Sequence, residues 1–187
     1  MIKDKNISIT ELKKQLKQLH PEELMKLLVE TYKISDKVKN LIKARLKGDI
    51  GVDNLLRLCK EKIKNEFLPE KGFGKLRVSI VQKIILDFKS VSKDDKQIID
   101  LILFSVEMGV EFINEYGDIS ENMVDYLFEA YDKVVNIINK KNRVDLFEHF
   151  KNRLEEAITN TKGVGCWGIE DSFEGSYSEI NLDKGLN

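Results

Sequence analysis

Apolar residues recur at spacings of three and four along almost the whole chain, and helix start and stop signals bracket each such run. This coincidence of period and punctuation constrains the fold more than any other feature. An amphipathic stripe of period 3.6 cannot present one clean face as a strand, so the chain is expected to be all-α. Only two prolines interrupt its 187 residues. Ser8-Ile9-Thr10-Glu11 spells a capping box with Ile7 and Leu12 placed as a hydrophobic staple, predicting a helix over 9–19. Pro21 suits a first helical position that needs no amide donor. Glu22 and Glu23 behind it face the positive end of the dipole of a second helix, over 21–34.

The same logic runs onward. Ser35 and Asp36 open a third helix ending at Gly48, the stretch from Gly48 to Gly51 reads as a turn, and a fourth helix covers 52–67. Its Leu55, Cys59, Ile63 and Phe67 recur at i+4, so Cys59 reads as a small buried hydrophobe rather than a nucleophile. The segment PEKGFG, 69–74, is the clearest internal loop, and a fifth helix follows over 75–90. Ser92 is the expected cap of a sixth helix, apolar nearly all round from Ile98 to Ile113 and therefore central. Gly117 ends it; Asp118 with Glu121 starts a seventh over 120–140, and Asn142 caps an eighth running toward Thr161. Ile169, Phe173, Tyr177 and Ile180 mark one face of a short last helix. The expectation is eight to nine helices in one domain, as a compact bundle or as HEAT-like stacked hairpins. Residues 1–162 form its body, and the Gly/Trp-containing segment 163–187 docks on it.

A chain of this length buries roughly 70% of its unfolded surface, enough for a core without disulfide or metal staples. Hydrophobic residues at 42% and charged residues at 34% argue against both disorder and a membrane protein. The longest greasy stretch is broken by Asp100 and Glu107, and no signal peptide or spanning segment is expected. Cys59 and Cys166 belong to no C-x-x-C pair, which fits a reducing cytoplasm. Charge is laid out unevenly: residues 1–89 hold 21 Lys/Arg against 12 Asp/Glu, a net of +9, and residues 90–187 hold 10 against 20, a net of −10. The halves can neutralise each other in the fold, the basic half can meet an anionic partner, or two copies can pair head to tail as a homodimer.

GVGCWG, 163–168, matches G-x-G-x-x-G, yet the residues before it are helical, so no strand delivers the first glycine. Cys166 and Trp167 would also crowd a pyrophosphate. No cofactor is expected. The hexapeptide reads as a hinge that folds Trp167 and the last helix back onto the domain. Lys71, Phe73, Lys75, Arg77 and Lys83 form a basic loop feeding a basic helix, the layout of a phosphate- or nucleic-acid-binding surface. Arg77 falls on the apolar side of that predicted helix and needs a carboxylate partner. Asp100, Glu107 and Glu111, a stripe on the sixth helix extended by Asn114, are candidates to supply one; the alternative is that they form a solvent-facing strip. Metal ligation or acid–base chemistry by the stripe is disfavoured because no partner helix carries Glu-x-x-His, and His20 and His149 are isolated. No metal site, nucleophile elbow or P-loop is expected.

The stretches KIKNEFLPEKGFGKLRVSIVQK, IIDLILFSVEMGVEFINEYGDISENMVDYLFEAYDKVV and CWGIEDSFEGSY resemble an uncharacterised bacterial family of small helical proteins known as a domain of unknown function. The resemblance implies a shared helical fold and the cytoplasm, and carries no functional residues across. It places Arg77, Ser79, Gln82, Lys83 and Trp167 within a pattern. Together these observations lead to a non-catalytic module that binds a protein or peptide through a surface including the fifth helix and the tail. Nucleic-acid binding by the basic half is the alternative.

Overall fold

A computed structural model describes residues 7–117, 119–140, 142–162 and 168–182. Among them are nine helices and no strand: α1 (Ile9–Leu16), α2 (Pro21–Ile34), α3 (Asp36–Lys47), α4 (Asp49–Phe67), α5 (Val78–Val91), α6 (Asp95–Tyr116), α7 (Glu121–Lys140), α8 (Val144–Thr159) and α9 (Ile169–Ser178). Local signals act where the sequence puts them. The Ser8 hydroxyl accepts from the Glu11 amide (3.2 Å) and that of Ser35 from Val38 (3.3 Å). Before Pro21, His20 is extended, as the proline ring demands, and its amide donates to the Glu23 carboxylate (2.8 Å). Gly117 ends α6 with a positive φ of 86°.

The core is centred on α6, which packs against α4, α5, α7 and α8. Eleven of its residues are buried, Ile99, Leu101, Leu103 and Val106 completely, which follows from a helix apolar on nearly every side. Buried Gly109 lets α7 approach, since a methyl there would meet Leu127 at 2.5 Å. Between the same helices the Ser105 and Tyr126 hydroxyls share a buried hydrogen bond of 2.6 Å. The C-terminal helix α9 closes the far side against α7 and α8. Phe173 is fully buried and its ring stacks on Tyr131 at 4.2 Å, with the planes 10° apart. Asn139 at the end of α7 donates to the Glu179 carbonyl (2.9 Å) and accepts from the Asn181 amide (3.1 Å), tying down the chain beyond α9.

Five boundaries differ from expectation, the first being α1, which ends at Leu16 rather than at 19. Helix α4 begins at Asp49, so Gly51 is helical rather than a turn residue. A Cβ at Gly51 would lie 2.8 Å from the Lys43 carbonyl oxygen and 2.9 Å from the Ala44 Cα, so glycine here serves the close crossing of α3 and α4. Helix α5 begins at Val78, not 75, because the preceding residues fold back over the end of α4. Asp94 rather than Ser92 caps α6, its carboxylate accepting from the Lys96 amide (2.9 Å). Arg143 stands at the cap of α8 because Asn142 adopts a positive φ of 44°. Asp118 and the segment 163–167, which holds Trp167 and most of the glycine hexapeptide, lie outside the described residues. Among those described, no helix is long and apolar enough to cross a membrane.

At the other end, α1 and α2 contain no buried residue, and α3 contains one, Ala44. Helix α2 lies on α3, and α3 joins the body through α4 and α5. The N-terminal hairpin therefore stands against the bundle as an arm rather than within it.

Candidate interaction surface

Three groups of residues compete as the functional surface, and packing separates them. The first is the basic loop before α5. Gly74 and Arg77 of this loop cover the C-terminus of α4: Gly74 presses so closely on the Phe67 and Glu66 carbonyls that no side chain fits, and the Leu76 amide donates to the Glu66 carbonyl (3.0 Å). Arg77 grips the buried Glu66 carboxylate through Nε (2.9 Å) and a second guanidinium nitrogen. The bidentate hydrogen bond from Arg77 holds the Glu66 carboxyl below its ordinary range, against burial. Arg77 thus pairs with α4 and not with the acids of α6. The expectation of an α6 partner assumed a helical Arg77, and a residue that precedes the helix does not follow its 100° register. Lys71, Lys75, Gln82 and Lys83 are exposed. Phe73 is 77% exposed and meets the Tyr116 ring edge-on at 5.4 Å.

The second group is the acidic stripe of α6. Asp100 and Glu107 face α4 and α8 rather than open solvent, with side chains 22% and 29% exposed. Arg153 of α8 bridges them, donating through Nε (2.6 Å) and a terminal nitrogen (2.9 Å) to Glu107 and through its other terminal nitrogen (2.6 Å) to Asp100. Lys60 of α4 completes the set at 2.8 Å from Asp100. Burial works to raise the Asp100 carboxyl, but the hydrogen bonds from Lys60 and Arg153 outweigh it and hold the group below its ordinary value. Glu111 is exposed at the rim of a shallow polar pocket with Arg153 and Glu156, and Asn114 donates to the Asn160 carbonyl (2.8 Å). Asp100 and Glu107 of the stripe form an interhelical clamp, and Glu111 stands outside it. No group of three or more His, Cys, Asp or Glu among the described residues could hold a metal ion. Cys59 is buried between α3, α4 and α5, and burial pushes its thiol up to about 11 despite Lys62, which leaves it unreactive at neutral pH.

The third group, on the arm, was not singled out from sequence. Met25, Leu28, Val29 and Tyr32 of α2 and Ile42 and Leu46 of α3 line a groove of about 880 Å³. Met25 is 64% exposed, Leu28 58% and Leu46 83%. The remaining lining residues are Lys33, Lys43, Arg45 and Lys47; no acidic side chain lines the groove. A signal was available: Leu24, Met25, Leu27, Leu28, Val29 and Ile34 surround α2, more apolar positions than one contact with α3 can cover. The +9 half is not covered by the −10 half along this edge. Lys60–Asp100 joins the two halves at the α4–α6 contact, while Lys37–Asp87, Arg77–Glu66 and Arg153–Glu107 each stay within one half.

Residues 7–181 match a family of unknown function, DUF6155, and the chain belongs to that family. No curated protein and no solved structure matches the chain.

Proposed function

We propose, for this member of DUF6155, a non-catalytic role in the cytoplasm: a helical module that binds another protein through the α2–α3 face of its N-terminal arm. The observation that carries this reading is the apolar groove itself. A folded chain gains about 25 cal/mol for each Å² of apolar surface it removes from water, and α2 leaves most of its apolar side chains outside that gain. A contiguous apolar face beside cations marks a contact surface. The buried side chains of the bundle are meanwhile committed to packing, and the Asp100–Arg153–Glu107 set to holding α6 and α8 together.

A photo-crosslinking residue at position 46, compared with one at exposed Leu86 on α5, tests the proposal in cells. A discrete protein adduct from position 46 that position 86 does not give is the expected result; no adduct from either refutes it. Nucleic-acid binding is the second reading, favoured by exposed Phe73, which Lys71 and Lys75 flank in the chain, and by exposed Lys83 on α5, though Arg77 is already engaged by Glu66. A mobility-shift assay at two salt concentrations separates the two. Binding through phosphates must weaken steeply as salt rises and must fall in Phe73→Ala.

A further inference from the structure

We infer that the α2–α3 groove takes an acidic amphipathic helix of another protein. This rests on the interaction-module reading above and deepens it by naming the partner's chemistry. The floor of the groove is apolar, and its border carries Lys33, Lys43, Arg45 and Lys47 with no carboxylate among them. Among the described residues no ion pair occupies any of the four. Residues 25–33 of α2 extend for about 12 Å at 1.5 Å per residue, so the face accommodates two to three turns of a partner helix. Such a helix presents anchors at i, i+3 or i+4, and i+7 to the floor, and carboxylates on its flanks to the cations.

Charge and exposed apolar surface argue against a second copy of this chain as the occupant. Two copies meeting face to face through this groove would bring the same four cations against each other, since an isologous contact pairs a patch with itself. Head-to-tail pairing offers the acidic half of a second copy. Yet the exposed large apolar residues of that half, among those described, are Tyr116 and Val144, too few to fill the groove. An anionic bilayer would also suit an apolar face bordered by cations, and the vesicle arm of the test separates it from a partner helix.

The test uses the full chain and two synthetic helices with the same leucine anchors at i, i+3, i+4 and i+7, one flanked by glutamates and the other by lysines. Fluorescence anisotropy is expected to show the glutamate helix binding at least about tenfold tighter than the lysine helix at low salt. Leu46→Asp should abolish binding of both. Leu46 is almost fully exposed, so this change leaves the fold intact, which circular dichroism verifies. Reversing the rim with Lys43→Glu, Arg45→Glu and Lys47→Glu should invert the preference. Equal binding of the two helices, lost in Leu46→Asp, overturns the acidic-partner inference while leaving the interaction surface standing. Binding of neither helix overturns both. So does sedimentation of the chain with anionic vesicles, or formation of a dimer that Leu46→Asp dissolves.

Discussion

Arg153→Met isolates the electrostatic part of the clamp between α6 and α8. Methionine keeps the apolar stem that lies beside the Phe150 ring, where the guanidinium carbon sits 5.7 Å from the centroid, and removes the charge. Three charge-assisted hydrogen bonds vanish, two to Glu107 and one to Asp100. Asp100 keeps Lys60, and Glu107 loses the partner that the ion pair supplied. Breaking a fully buried pair costs about 3–5 kcal/mol, and side chains still 22–29% exposed retain part of their hydration, so the expected loss is about 2–3 kcal/mol. For a domain of this size that lowers the melting temperature by roughly 4–12 °C. Urea unfolding at pH 7 measures the loss directly.

The pH dependence has a defined sign. Lys60 and Arg153 hold the native Asp100 carboxyl below its ordinary value of 3.8. The stability it contributes is therefore fully present above that value and is lost as pH falls from 3.8 through the depressed native one. In Arg153→Met part of the depression is gone, so the gap between the two proteins must narrow between pH 7 and pH 3. Asp100→Asn alone and combined with Arg153→Met closes a double-mutant cycle, with a coupling above about 1 kcal/mol expected. A loss under about 0.5 kcal/mol at pH 7, or a gap that stays constant down to pH 3, would refute the clamp.

Three further outcomes follow from packing. Phe173→Ala removes a buried ring and its stack on Tyr131, costing about 3–5 kcal/mol and giving α9 faster amide exchange than α6. Gly51→Ala forces a methyl against the Lys43 carbonyl and Ala44, costing about 1–3 kcal/mol in thermal unfolding and shifting the arm's amide resonances. Ser105→Ala strands the buried Tyr126 hydroxyl at a cost of about 1–3 kcal/mol, and Tyr126→Phe added to it should recover part of that loss.

The helices of this protein are written locally. Ser8, Ser35, Pro21 and Gly117 act on backbone groups within four residues, so their effect is readable without knowledge of anything distant. The apolar circumference of α6 likewise points to a central helix, since a helix apolar on nearly every side gains most where neighbours cover each side. What escapes such reading is the choice among equivalent partners. Arg77 chose Glu66, 11 positions away, over the α6 acids because the loop folds back on α4, and Arg153 found Asp100 and Glu107 across 53 and 46 positions. Gly51 looked like a turn residue until α3 lay across it. The exposure of α2 is of the same kind: its apolar residues are plain in the chain, but whether a neighbour covers them depends on how many helices reach that end of the bundle. Hydrogen-bond geometry along a helix is set within one turn, whereas burial is a property of the whole packed chain.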